Sequence, residues 1–222
     1  MRELAKTLIV IVLAILGCAA GAYAWDVEYD ASNGLLPTAA SPAWQSDGGT
    51  ATILDGALYI NSGGEGYSRE SDAIGAGVPV TMETRMRVLS SAHGAWLSIG
   101  TYGGATGIGI YSDRIVTGDV LNEPLVFLAD FTVFHTIRLA YDGTAKGYLW
   151  VDNQLALSLG AEPWPWTLGP PDGVRFGSHS CDSYWQYVVY SKEFLPVPEP
   201  SSLLAFGFAL AWVGIGVVQR RK

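Results

Sequence analysis

An all-β fold, a two-sheet jelly-roll sandwich, is what this sequence predicts for residues 25–193. Three observations carry it. Apolar residues recur at every second position in run after run, the period of a half-buried strand. Asp-Gly and Asp-Asn pairs separate the runs, and both tolerate the positive φ of a tight hairpin. No stretch of this body has the 3.6-residue period of an amphipathic helix, so strands at close spacing point to a sandwich.

The runs follow in order. Thr52-Ile53-Leu54 and Leu58-Tyr59-Ile60 flank Asp55-Gly56, a hairpin. Met82, Thr84, Met86 and Val88 alternate with Glu83, Arg85 and Arg87, giving one apolar and one charged face. Ile137, Leu139 and Tyr141 alternate with Thr136, Arg138 and Ala140, and Asp142-Gly143 closes that run. Leu149 and Val151 oppose Tyr148 and Trp150, and Asp152-Asn153 leads into Leu155–Leu159. Trp185, Tyr187 and Val189 alternate with Gln186, Val188 and Tyr190. Glycine, 27 residues in all, clusters between strands, as at Gly63-Gly64 and Gly103-Gly104. No internal repeat appears, which disfavours a propeller or solenoid.

Both ends read as processing segments. Arg2 and Lys6 precede the apolar run Leu8–Leu16, and Ala22-Tyr23-Ala24 offers an A-x-A cleavage site, so residues 1–24 are expected to form a signal helix that is removed. Ile15-Leu16-Gly17-Cys18 also resembles a lipoprotein box, which would acylate Cys18. At the other end the prolines of residues 194–202 cannot continue a strand ladder and mark a linker. Residues 203–218 carry no charge and reach the lower limit of a spanning helix, and Arg220, Arg221 and Lys222 would hold its end on the cytoplasmic side. The body is therefore expected outside, with residues 203–222 as a single membrane helix and basic stop.

Charge and cysteine narrow the function. The chain has a formal net charge of −8. Without its two ends it holds eight Lys or Arg against nineteen Asp or Glu, a balance of −11, which disfavours nucleic acid as a partner. Such a surface serves solubility by self-repulsion, or supplies carboxylates for Ca²⁺. After signal cleavage only Cys181 remains, so an exported body has no internal disulfide and depends on a packed core. Cys181 itself reads as a small buried hydrophobe.

Two resemblances refine this reading. Val197-Pro198-Glu199-Pro200, the apolar run and the Arg220-Arg221-Lys222 cluster resemble the PEP-CTERM sorting tail of bacterial exported proteins. That resemblance implies processing near Pro198-Glu199-Pro200 by an exosortase-type transpeptidase, brief residence in the inner membrane and a final place in the envelope or outside the cell, in a bacterium with an extracellular polysaccharide matrix. Phe134-His135-Thr136-Ile137-Arg138-Leu139, then Asp142-Gly143, Tyr148–Asn153, Val174-Arg175-Phe176-Gly177-Ser178 and Trp185–Tyr190 together resemble the second half of concanavalin A-like, laminin G-like jelly rolls over residues 78–192. This implies a sandwich that binds carbohydrate or protein on its concave face.

Catalytic patterns are missing. Some glucanases of that fold carry an E-x-D-x-x-E strand, whose alternate residues flank a glycosidic bond. Glu70-Ser71-Asp72-Ala73-Ile74-Gly75 begins that way and ends in glycine. Asp26, Glu28 and Asp30 alternate on what should be an exposed edge strand. His93, His135 and His179 lie outside metal-ligand spacing of one another, and His135 reads as a structural histidine bonded to backbone. No G-x-S-x-G elbow or phosphate-cradling loop occurs. Aromatic rings remain, since a flat ring can stack on a sugar: Tyr148 and Trp150 on one strand face, Trp164 and Trp166 in a proline-rich loop. The expectation is a non-catalytic surface or matrix protein that binds carbohydrate or protein and needs no cofactor. The alternatives are a polysaccharide-active hydrolase or lyase of the same fold, and a purely structural exopolysaccharide-associated protein.

Overall fold

The computed structural model describes residues 25–69, 77–89, 93–101, 104–117, 125–144, 146–159, 173–178 and 180–196. The signal and the sorting tail of the sequence reading, including Ala22, Ala24, Cys18, Pro198, Glu199, Pro200, Arg220, Arg221 and Lys222, lie outside these residues, as do Glu70, Asp72, Trp164, Trp166 and His179. No helix among the described residues is long and apolar enough to cross a membrane.

The described chain forms thirteen strands: β1 (Val27–Asp30), β2 (Gln45–Leu54), β3 (Ala57–Ser68), β4 (Val80–Val88), β5 (Ala95–Thr101), β6 (Gly104–Ile110), β7 (Arg114–Thr117), β8 (Leu125–Leu128), β9 (His135–Tyr141), β10 (Gly147–Val151), β11 (Gln154–Leu159), β12 (Val174–Ser178) and β13 (Ser183–Ser191). They build a two-sheet jelly-roll sandwich. The first sheet runs β11-β10-β9-β4-β13, with β1 and the first half of β3 along the far side of β13. The second runs from the other half of β3 through β12-β5-β6-β7-β8.

The β2–β3 hairpin joins the layers. Its turn is the expected one, with Asp55 and Gly56 at φ 52° and 72°. Early in β3, Leu58 and Ile60 pair with β13; later, Glu65 to Ser68 pair with β12. The ladder slips between Ser46 and Ala51, where the ribbon turns the corner. Gly49 has φ 127° there, and a Cβ on it would stand 1.9 Å from the Gly64 carbonyl oxygen. Gly63-Gly64 therefore lies within a strand, not between strands as the composition suggested.

Alternation fills the core as expected on β4, where Val80, Met82, Met86 and Val88 are buried while Glu83, Arg85 and Arg87 point outward. Phe176 of β12 sits at the centre. Its ring meets Trp185 at 5.1 Å, Tyr67 at 5.3 Å and, edge-on, Trp44 at 5.0 Å, binding the two layers by aromatic packing. The simple alternation fails on β13. A bulge between Trp185 and Tyr187 resets the phase, so Trp185, Val188 and Tyr190 are fully buried and Tyr187 faces out. Val27 and Tyr29 of β1 pack inward, and Glu28 and Asp30 are exposed at the edge.

Candidate functional site

On the outer face of the first sheet, β10 carries Tyr148 and Trp150 side by side, their rings 5.7 Å apart and 27° from parallel. Leu149 and Val151 turn to the core, as alternation requires. The ends of the described chain fold over this region. Phe194 packs 5.5 Å from Tyr148, and the Arg138 guanidinium lies 5.6 Å from the Trp25 ring. Arg138 also donates to Glu83 (2.7 Å) and to the Leu195 carbonyl (3.1 Å). Thr81 donates to the Glu193 carbonyl and accepts from the Leu195 N–H. Trp150 is thus only 7 % exposed, and Tyr148, half-buried, is the more accessible ring.

The outer face of the second sheet is built differently. On β5, Ala95, Leu97 and Ile99 turn inward and leave Trp96 and Ser98 outside. Cross-strand register aligns Gly66 of β3, Gly177 of β12, Trp96 of β5 and Gly109 of β6 in one row. The indole spreads over that glycine floor. A Cβ at Gly177 would stand 2.9 Å from Trp96 Cζ2, and one at Gly66 would stand 3.0 Å from the same atom and 2.7 Å from an Asp47 carboxylate oxygen. Any side chain at either position would lift the ring. Tyr111 is seated likewise over Gly94 and Gly109, at 3.2 and 3.3 Å from their would-be Cβ atoms, and carries the Arg114 guanidinium 4.4 Å above its ring. Asp113 holds Arg114 at 2.8 Å. Two aromatic rings, two carboxylates and a guanidinium thus share a low shelf. Flat apolar faces flanked by few polar groups suit a sugar ring.

The sequence reading missed Trp96 and Tyr111. Their signals were present: Trp-Leu-Ser-Ile alternation opposes Trp96 to the core residues, and Gly-Ile-Gly-Ile on β6 empties one face while filling the other.

Titratable groups elsewhere serve the fold. His135 has Nδ1 2.6 Å from an Asp152 carboxylate oxygen and Nε2 2.8 Å from the Asp130 carbonyl, so it bonds backbone as expected and a turn carboxylate besides. Burial pushes the Cys181 thiol up, away from nucleophile range. Glu65, 8 % exposed, accepts from Ser46 at 2.8 Å and bonds the Tyr67 hydroxyl; burial and then this carboxylate raise the Tyr67 phenol. A shallow depression of about 530 Å³ includes Asp26, Arg69 and Lys192 in its lining, but Asp26 already accepts from the Lys192 N–H at 2.6 Å and from Ser191. Among the described residues no group of three His, Cys, Asp or Glu could hold a metal ion.

No family model and no curated protein matches the chain. Several solved structures are similar in fold. A conserved carbohydrate esterase from the Shiga toxin-encoding bacteriophage phi24B aligns at 13% identity over 75% of this chain and 97% of its own, with a TM-score of 0.57. The Crh5 transglycosylase in complex with NAG aligns at 12% identity over 76% of this chain and 85% of that one, with a TM-score of 0.56. The carbohydrate recognition domain of Emp46p, in its potassium-bound form, aligns at 13% identity over 75% and 96%, with a TM-score of 0.54. At such identities the likeness establishes the jelly-roll architecture alone.

Proposed function

We propose that this protein is an exported surface or matrix protein whose jelly roll binds carbohydrate, without catalysis, on the outer face of its second sheet. The observation that carries the reading is the Trp96 indole laid over Gly66 and Gly177, beside Asp47 and within the same shelf as Tyr111. The fold resemblance adds support, since one similar structure is a carbohydrate recognition domain and another is a transglycosylase complexed with NAG. A glycan array probed with the full chain, with and without Ca²⁺, tests it. Binding that Trp96→Ala abolishes is the expected result. No binding to any glycan would overturn the reading, and so would release of reducing ends from a bound polysaccharide, which would make the protein a hydrolase or lyase.

The same proposal includes sorting. Pro198-Glu199-Pro200, the apolar run and Arg220-Arg221-Lys222 are the segment an exosortase-type transpeptidase would process. Intact mass of the protein isolated from its cells tests this. A mature chain starting at Trp25 and ending near the Pro-Glu-Pro motif is expected. Retention of residues 203–222 would replace sorting by a permanent anchor.

A further inference from the structure

The first sheet carries an arginine–aromatic row that neither the core nor the carbohydrate shelf employs. Strand β4 points Arg85 and Arg87 outward two residues apart, roughly 6.7 Å along the strand. The Arg87 guanidinium sits between two rings, 4.4 Å from the centroid of Tyr184 and 5.0 Å from that of Phe134. Arg85 lies on the other side, 6.0 Å from Phe134, and Tyr59 extends the row, 4.9 Å from Tyr184. Stacking of this kind holds the planar fork in a fixed orientation while leaving donors at its edge.

The charge state of the row is unusual for this chain. There are 21 Asp and Glu against 13 Lys and Arg, yet among the described residues neither Arg85 nor Arg87 has a carboxylate within ion-pair distance. Arg138 and Arg114, in contrast, each hold one. The two carboxylates at the ends of the row are already bonded to groups other than these arginines: Glu83 to Arg138 and Tyr187, Asp182 to the Tyr59 hydroxyl at 3.1 Å. Among the described residues, the buried Arg87 Nε meets no acceptor. Neither guanidinium group is thus neutralised by a described carboxylate.

We infer that this row is a second binding site, on the face opposite Trp96, for a carboxylate-bearing sugar of the uronate type. An arginine fork binds a carboxylate by paired charge-assisted hydrogen bonds, and Tyr59, half-buried at the end of the row, is the ring placed to contact the pyranose that carries it. Nucleic acid and anionic membranes fit poorly. Both are held by extended basic surfaces, and two arginines on a chain of net charge −8 form none. Recognition here is local and short-ranged, suited to one acidic sugar residue at a time.

Calorimetric titration of the full chain in detergent with trigalacturonate, its methyl ester and phosphatidylglycerol vesicles tests the site. Trigalacturonate is expected to bind, and the neutral ester to bind about tenfold more weakly or worse, the loss of one charge-assisted bond. Arg85→Ala and Arg87→Ala should each lower trigalacturonate affinity about tenfold, and Trp96→Ala should leave it unchanged. If an alanine variant melts early, Arg87→Lys supplies the test, because it keeps the charge and loses the fork. No binding of trigalacturonate, equal binding of the ester, loss through Trp96→Ala, or arginine-dependent binding of the vesicles would each overturn the assignment. Failure of the carbohydrate shelf itself would show separately, as loss of neutral-glycan binding with the arginine site intact.

Discussion

Asp152 closes the β10–β11 turn onto the start of β9: one carboxylate oxygen lies 2.6 Å from His135 Nδ1, and the other accepts the Thr136 N–H at 2.9 Å. The residue itself has φ 48°, a conformation Asp tolerates better than Ala. Asp152→Ala should therefore cost about 1–3 kcal/mol, and Asp152→Asn clearly less, since Asn keeps both the backbone preference and an acceptor. Urea melts of the two variants check the order.

Gly66→Ala should separate binding from folding. The new methyl would meet the indole of Trp96 and the side-chain carboxylate of Asp47 first, not backbone. Stability should drop by about 1 kcal/mol, the lower range of overpacking, while Trp96 tilts and neutral-glycan affinity is lost. Gly177→Ala would be worse for the fold, because its methyl would also stand 2.4 Å from the Glu65 carbonyl oxygen. Parallel melts and binding titrations distinguish the two.

The Arg138–Glu83 pair lies under Trp25 and Leu195, at the two ends of the described residues, with side-chain exposures of 9% and 13%. Removing one partner leaves a desolvated charge. Arg138→Ala is expected to cost about 3–5 kcal/mol, and the double replacement Arg138→Met, Glu83→Leu much less. A double-mutant cycle measures the coupling.

Alkaline pH should unfold the protein through phenols that the fold buries wholly, at Tyr29 and Tyr67, or partly, at Tyr187. Burial first, then the Glu83 charge, pushes the Tyr187 phenol up from 10.0 to about 12. Burial raises Tyr29 and Tyr67 as well. A raised phenol binds its proton in the folded state where the unfolded chain has lost it, so its contribution is complete below pH 10.0 and is lost as pH rises to about 12. Stability should fall across that window, and Tyr187→Phe should flatten the slope. Phenolate absorbance followed beside circular dichroism checks this, since these tyrosines should ionise only as the fold is lost.

How far the sequence reveals such features depends on whether the cause is local. The β4 alternation and the turns at Asp55-Gly56 and Asp152-Asn153 are dictated by neighbours in sequence, and the structure has them as read. His135 was legible as structural because no ligand-spaced partner accompanies it. The β13 bulge was not, because its phase change is fixed by pairing with β4. The outward side of Trp96 was legible from alternation, but its floor was not, since Gly66 and Gly177 are distant from it in the chain and adjacent only through β12. Tyr148 and Trp150 do share a face, but the packing of Phe194 on Tyr148 and of Trp25 on Arg138, the cross-strand neighbour of Trp150, is something no strand pattern could reveal.

The corner at Gly49 gives β3 hydrogen bonds to both layers at once. A pulling force on either sheet is therefore carried into the other through one continuous ladder, and neither can peel away while β3 remains paired. The domain should yield to tension in a single step, as one mechanical unit, when stretched in a force spectrometer.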